Sequence, residues 1–539
     1  MFHGRRFLVI SPLVILLCAI LGGVFAPGMD GVAAASSGAS SDIDASVKTF
    51  TQVYTTVALN AATKVDPDKA IYKGAIAGML RTLDPHSSFF DPRDFQLLRE
   101  EQRGHYFGVG MTVSERNRRV IVIAPFPGSP AYKAGIRPGD IILQVNDTRT
   151  DNLSVSEVAD RLKGPRGTHV KVVVSREGAD KPLTFDIIRD EIPRKSVQDA
   201  FWLKPGIAHI EIDSFNENTS REFEENLRRL GEDKIQTLIL DLRSNPGGLL
   251  SEGVAVAERF LKPGQVIVSH RGRSSPEKPY VARQTGAKYQ YPVVVLVDRY
   301  SASAAEIVAG ALQDHDRAWI LGENTFGKGL VQTVYPLSEG TGLALTTAKY
   351  YTPSGRLIQR DYTNQSFLEY YTHKNLDAKN PMDVRRTDAG RIVYGGGGIE
   401  PDEKFPVPKL NAFQIETLYR KYAFFNFTAR YFGSKNPKVT RDWEPDATLV
   451  EEFRQFLLKE NVSFREGDFL QNLPWIKQQL KREFLISGAG QEESRRYTIE
   501  TDPMVAAAIE AAPKAKELLD LYFQKKKVAR NSSRRSQRP

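Results

Sequence analysis

The chain has 539 residues, too many for one hydrophobic core, and at roughly 150 residues per domain its length predicts three or four units. With 41% hydrophobic and 26% charged residues it is composed like an ordinary globular protein. The net charge of +9 is concentrated in QKKKVARNSSRRSQRP, from Gln524 to Pro539, where seven basic groups meet no acid. The body is near neutral, and the basic stripe of a nucleic-acid-binding surface is absent, which excludes nucleic acid as a partner.

At the N-terminus, HGRR precedes the uncharged run Phe7 to Ala26. A basic flank before an apolar run predicts export through a membrane. The run is long enough to stay as an anchor, whereas Ala33-Ala34-Ala35 offers a cleavage site, so residues 1–35 read as either a signal peptide or a membrane anchor. Cys18 lies inside the run and is the only cysteine. The exported part therefore holds no disulfide and no cysteine–metal site, and neither a metal nor a cofactor is expected.

SSGASS, at 36–41, reads as a linker, and the pattern from Asp42 to Leu83 is helical. Asp66-Pro67 supplies a cap followed by proline, and Ile71, Ala75, Ile76, Met79, Leu80 and Leu83 then form one apolar face. DPHSSFFDPRDF is a turn-rich connection. From 104 to 193 the chain alternates in strand fashion through YFGVGMTV, RRVIVIAPF, DIILQVN, HVKVVVSRE and LTFDIIRDE, with the short helix SVSEVADRLKG between them. From 205 to 350 its character changes. GIAHIEID, TLILDLR, VVVLVD and AWILG are short apolar strands separated by helical patterns, the alternation of a mostly parallel sheet. The part from 410 to 523 is helical, with Trp443 and Trp475 expected in its core. The basic end, 524–539, reads as a solvated, disordered tail, with anionic lipid or another polyanion as its functional alternative.

The chemistry gathers where VVVLVD leads into YSASAAE, Tyr300 to Glu306. A helix beginning near Ser303 has unpaired N–H groups and partial positive charge at its start. A serine placed there can attack a carbonyl while the N–H of Ala304 faces the developing oxyanion. A second donor is available in NPGG, Asn245 to Gly248, where Gly247 or Gly248 lets the backbone approach closely. His315 lies at the far end of the same helix, and neither His209 nor His270 sits in a histidine motif. Lysine is the better base: NTFGKGLVQT places Lys328 between two glycines, and burial disfavours the charged form that would make it useless. Gln332 follows on a predicted strand where 328, 330 and 332 share a face, so its amide can orient the lysine amine. GENTFGKG also approaches the phosphate-loop pattern, but Gly329 stands where Ser or Thr belongs, and LVQTVYPL reads as a strand rather than a helix.

The joint pattern of SASAAE, FGKGLVQ and RSNPGG, with DPHSSFF and GGGGIEPD, resembles the carboxyl-terminal processing (tail-specific) peptidases over about residues 42–405. That resemblance implies a serine endopeptidase outside the cytoplasm, in the bacterial periplasm or on the outer face of the cytoplasmic membrane. It implies an α/β peptidase core of the crotonase/ClpP-like kind, with a mixed, mostly parallel sheet. To this belong an inserted-type PDZ β-rich domain, an N-terminal helical arm and a C-terminal helical extension. Ser303 becomes the nucleophile, Lys328 the general base and Gln332 the assisting glutamine. Ala305 departs from relatives, which often carry a second serine there. Gly108, Val109 and Gly110 fall in the PDZ loop that binds a terminal carboxylate. The division expected is 1–35 signal or anchor, 42–103 N-terminal helical region, 104–193 PDZ domain, 194–405 peptidase core, 406–523 C-terminal helical region and 524–539 basic tail. The partners expected are protein substrates with free C-terminal tails, the membrane through the N-terminus, further copies of the chain and an adaptor protein.

Plainer readings stand beside these. Ser301 and Ser303 could serve only to cap a helix, Asp314 and Asp316 to end one, and Asp241 to hold structure. Two rival functions are an inactive scaffold whose PDZ-like domain holds partner tails, and a Ser-His-Asp protease with an attached PDZ domain.

Overall fold

The computed structural model describes residues 39–283, 288–363, 365–372, 380–435 and 437–535. The apolar run at Phe7 to Ala26 lies outside them. No helix among the described residues is long and apolar enough to cross a membrane.

A helix Ala39–Asn60 begins inside SSGASS, the stretch read as a linker, because alanine and serine continue readily into the helical pattern that follows. The next segment departs from its predicted face. Lys69–Ile76 is wound as a π-helix and only Ala77–Arg81 as an α-helix. Widening the winding by one residue per bond rotates the stripe. Leu80 is buried, whereas Met79 and Leu83 face solvent.

The strand-rich module is a sheet of six strands with Met111–Arg116 at one edge, followed by Arg119–Pro125, Ile141–Val145, His169–Ser175 and Leu183–Ile188, and with the short Thr148–Arg149 paired to Ile141–Val145. YFGVGMTV divides into two strands, His105–Gly108 and Met111–Arg116, around Val109-Gly110. The first of these pairs with Asp190–Pro193, tying the beginning of the module to its end. Helix Val155–Leu162 starts in a capping box of Ser154 and Glu157 and lies beside the edge strand.

The core contains a six-stranded sheet in the order Val197–Lys204, Ile207–Ile212, Thr237–Asp241, Val293–Val297, Trp319–Gly322, Glu403–Lys404. Only the first pair is antiparallel. TLILD and VVVLV are buried along their whole length, as strands covered on both faces must be. Helices Thr219–Leu230, Leu250–Glu258 and Ala304–Asp314 pack on one face. A second, antiparallel sheet joins Ser88–Phe90, Gly342–Tyr351, Val266–Gly272, Ser275–Val281 and Leu330–Pro336.

The other face of the parallel sheet is covered from far along the chain. Met504, Val505 and Ala508 on helix Pro503–Glu510, Ala511 at its C-cap and Ala515 on helix Ala512–Arg535 pack against Ile239, Val294, Leu296 and Leu321. The helical extension is therefore partly a layer of the core. Its remainder is an aromatic bundle around Phe424, Phe427, Phe453, Trp475 and Phe484, on which Trp443 stacks. The last helix runs to Arg535, through most of the segment read as a disordered tail. Lys and Arg are good helix formers, and packed residues before them nucleate the helix.

This bundle also holds the strand-rich module. Arg116, at the end of the edge strand, lies between the rings of Tyr422 and Phe425, 4.2 and 3.6 Å from their centroids, and donates to Asn426 Oδ1 at 3.4 Å.

Candidate active site

Two loops at the C-terminal ends of neighbouring parallel strands meet, and Asp298 joins them. Its Oδ1 accepts the N–H groups of Tyr300 at 2.9 Å, Ser301 at 3.0 Å and Ser244 at 2.9 Å. The Ser301 hydroxyl donates to Leu242 O at 2.8 Å and accepts from the Asp298 N–H at 2.9 Å, while the Ala302 N–H donates to Asn245 O at 2.8 Å. Ser301 is thus the structural serine of the pair.

Ser303 is held at φ 60°, ψ −115°, a conformation strained for any residue with a Cβ. Its Oγ is buried and hydrogen-bonded to nothing among the described residues. Ser303 is the N-cap of the next helix, and Glu306 closes the capping box from its own side by accepting the Ser303 N–H. The helix that follows, Ala304–Asp314, is buried on all sides.

Beneath the turn lies a carboxylate that the sequence reading passed over. Glu306 Oε2 accepts the N–H groups of Ser303 at 2.8 Å and Lys328 at 2.9 Å, and its Oε1 accepts Gly327 N–H at 2.8 Å and Thr325 Oγ1–H at 2.5 Å. One oxygen thus fixes the backbones of Ser303 and Lys328 together. Burial pushes the carboxyl up to about 7, against the four donors that favour its ionised form. Tyr350 adds a second stitch, its Oη 2.5 Å from Lys328 O and 3.2 Å from Ser303 O. The signal for Glu306 was present in S-A-A-E, the capping-box spacing.

The NPGG loop lies directly against the serine. A Cβ on Gly247 would stand 2.6 Å from Ser303 Cβ, and one on Gly248, at φ 144°, would stand 1.9 Å from Phe215 O. The Gly247 N–H is already donated to Asn245 Oδ1 at 2.8 Å. By contrast, the N–H groups of Gly248 and Ala304 meet no acceptor among the described residues.

Lys328 lies in the loop before strand Leu330–Pro336, and the strand itself rules out the phosphate-loop reading. Because the strand starts at Leu330, and because a bulge separates Val331 from Gln332, the shared face expected for 328, 330 and 332 is not formed. Gln332 Nε2 donates to Thr346 Oγ1 at 3.1 Å, which in turn donates to Asp84 Oδ1 at 3.1 Å, and Gln332 Oε1 is unpaired among the described residues. Ser303 and Lys328 are 1% exposed and Gln332 0%, so the site is closed. Next to Ser303 in the chain, Ala302 joins Phe326 and Tyr370 in a small apolar cluster, with Tyr362 and Tyr371 packed against it.

One histidine does approach, though not one the sequence suggested. His86, in DPHSSFF, is buried with Nε2 2.9 Å from Tyr370 Oη and Nδ1 3.3 Å from Tyr371 Oη. Burial, with Lys328 and Arg360 adding like charge, holds its pKa well below the usual value. The three histidines weighed from the sequence serve elsewhere. His209 pairs with Asp241, His270 with Ser275, and His315 with Val266 O and Asp388. Asp314 and Asp316 form ion pairs with Arg356 at 2.8 Å and Arg391 at 2.7 Å.

In the strand-rich module, Gly108 ends the strand that pairs with Asp190–Pro193. Val109 O accepts from Ala131 N–H at 2.8 Å, and Gly110 O from Ser129 Oγ–H at 2.7 Å. The N–H groups of Val109 and Gly110 meet no acceptor among the described residues. The loop opens onto the unpaired edge of strand Met111–Arg116.

Comparison with known proteins agrees with this architecture. Residues 206–365 match the model of peptidase family S41, and residues 121–176 match that of the PDZ domain. The chain is 39% identical over 300 residues to a carboxy-terminal-processing protease of Bartonella bacilliformis, covering 55% of this chain and 68% of that one. It is 32% identical over 357 residues to the carboxy-terminal processing protease CtpB of Bacillus subtilis, covering 65% and 74%. A carboxyl-terminal-processing protease of Synechocystis is 35% identical over 339 residues, covering 60% and 77%. An S41 core closed around a strained serine, with a PDZ module carried between N-terminal helices and that core, makes this chain a member of the carboxy-terminal-processing serine proteases.

Proposed function

We propose that the chain is an endopeptidase that cleaves exported proteins near their C-termini through an acyl-enzyme on Ser303, with Lys328 as the base. The observation that carries this reading is the buried, unbonded Oγ of Ser303, whose backbone shares one carboxylate oxygen with that of Lys328. A neutral Lys328 amine removes the Ser303 proton as the Oγ attacks the scissile carbonyl, then gives that proton to the leaving amine, and finally activates water to release the acyl group. The N–H groups of Ala304 and Gly248 are the donors we assign to the oxyanion, the Gly247 N–H being committed to Asn245. Catalytic hydrogen bonds often tighten only when substrate is bound, which fits a serine without a partner in a closed site. Gln332, with its free Oε1, is the group available to hold the lysine amine once the site opens.

The PDZ module supplies recognition. Free N–H groups at Val109 and Gly110 suit a terminal carboxylate, and the open edge of Met111–Arg116 suits a peptide added as a further strand. We place self-association on the N-terminal helix, where the exposed Ile43, Val47, Phe50, Val53 and Val57 recur every three or four residues.

The test is cleavage of a reporter bearing an apolar, unstructured C-terminal tail by residues 36–539. Wild type alone should cut, with Ser303→Ala and Lys328→Ala folded and silent. Undiminished cleavage by either variant would remove its residue from the mechanism. A histidine-dependent protease is disfavoured by the described histidines, none of which hydrogen-bonds to Ser303.

A further inference from the structure

An ion pair links the C-terminal helical extension to the segment that leads into the NPGG loop. Arg243 stands two residues before Asn245, between strand Thr237–Asp241 and the NPGG loop. Its Nε and Nη2 bind the two oxygens of Asp241 at 2.9 and 2.6 Å, and its remaining nitrogen, Nη1, binds Asp502 Oδ2 at 2.6 Å. Asp502 is the N-cap of helix Pro503–Glu510, its Oδ1 accepting the Met504 N–H at 2.8 Å. The guanidinium is thus clamped between the end of a core strand and the start of a helix 259 residues further along.

What the clamp holds is a turn that needs holding. Asp241 Oδ1 accepts the backbone N–H of Arg243 at 3.1 Å, and the next residue, Ser244, is bent to φ 57°. Asn245 then receives the Ala302 N–H on its carbonyl and the Gly247 N–H on its side chain. Movement of Arg243 is therefore passed through Ser244 and Asn245 to both sides of the Ser303 oxyanion. Although burial pushes Asp241 up, Arg243 and His209 hold it well below the usual carboxylate range, and it stays an anion for Arg243 to bind.

We propose that Asp502 is a positioning residue for the oxyanion loop, so that the C-terminal helical layer sets the rate of acylation through Arg243. This rests on the reading of the NPGG loop as half of the oxyanion site.

The experiment compares Asp502→Asn, Asp502→Ser, Asp502→Glu and wild type in the full soluble chain, since Asn and Ser keep a capping oxygen but lose the charge. Asp502→Asn and Asp502→Ser should both lower kcat about tenfold with KM within about twofold of wild type. Affinity for a peptide aldehyde, which forms a hemiacetal with Ser303, should fall by the same factor. Asp502→Glu should recover most of the loss. Full kcat and aldehyde affinity in the Asn variant would overturn the proposal. So would a Glu variant no better than Asn, or losses that follow the melting temperature across the series. If wild type and Ser303→Ala bind the aldehyde equally, the oxyanion reading itself fails, and this inference with it.

Discussion

Glu306→Gln tests whether one buried carboxylate organises the site. The four donors on Glu306 come in pairs, Ser303 and Lys328 N–H on Oε2, and Gly327 N–H and Thr325 O–H on Oε1. A glutamine must turn its NH2 toward one pair. Facing Ser303 and Lys328, it would orphan two buried N–H groups. Facing the other side, it orphans one, that of Gly327, because the Thr325 hydroxyl can rotate to accept. The second orientation wins. It costs the desolvation of one unpaired N–H, about 2 kcal/mol. Were that cost expressed wholly as misplacement of Gly327 and Lys328, acylation would slow by about 30-fold. The assay is the second-order rate of Ser303 labelling by a fluorophosphonate at pH 8, with a thermal melt alongside. Labelling and melting both equal to wild type would refute the argument that Glu306 holds the serine and lysine together.

The same carboxyl predicts a pH dependence. Its folded value is about 7 and its ordinary value 4.5, so between those limits the folded state holds a proton that the unfolded state has lost. Stability of the core should therefore fall as pH rises from 4.5 to 7, by up to about 3 kcal/mol, and level off above; melts of wild type and Glu306→Gln across that window should differ by this slope. Gly248→Ala places a Cβ 1.9 Å from Phe215 O, so the loop must leave its place, and fluorophosphonate labelling should be lost while the far-ultraviolet spectrum is kept. Arg116→Ala removes the cation from between Tyr422 and Phe425, worth about 1–2 kcal/mol. Proteolysis between the PDZ module and the bundle should rise about 5- to 30-fold, and an unchanged rate would mean the contact restrains nothing. Gly108→Asp should weaken binding of a tail peptide while Ser303 still labels; parallel loss of labelling would contradict a role confined to recognition.

How much of this could be read from the sequence depended on distance along the chain. Ser303, Lys328 and the NPGG loop lie in short stretches whose residue types carry their own chemistry, and the alternating apolar strands announce a parallel sheet. Glu306 sat in plain view, but its meaning depended on Gly327 and Lys328, some twenty residues away and reached only by folding. Asp298 and Tyr350 join elements in the same manner. His86 belongs to a turn whose surroundings, Tyr370 and Tyr371, come from nearly 300 residues downstream. The predicted face at Lys69–Leu83 failed for a local reason, since a π-helical turn leaves little mark in the spacing of apolar residues. The C-terminal helices gave no sign of their purpose because their partners, Ile239, Val294 and Leu296, read as buried whatever covers them.

That last arrangement has a consequence in time. The strands that present Ser244 and Ser303 are made early, while Met504, Val505 and Ala508, which close their outer face, are made roughly 200 residues later. Contacts so distant in sequence form late, after a large loop has closed. During synthesis the chain therefore passes through a stage in which the PDZ module and the strand before Ser303 have been made but one face of the parallel sheet is bare. The sheet that carries Ser303 is covered on both faces only once the last packed helices are in place.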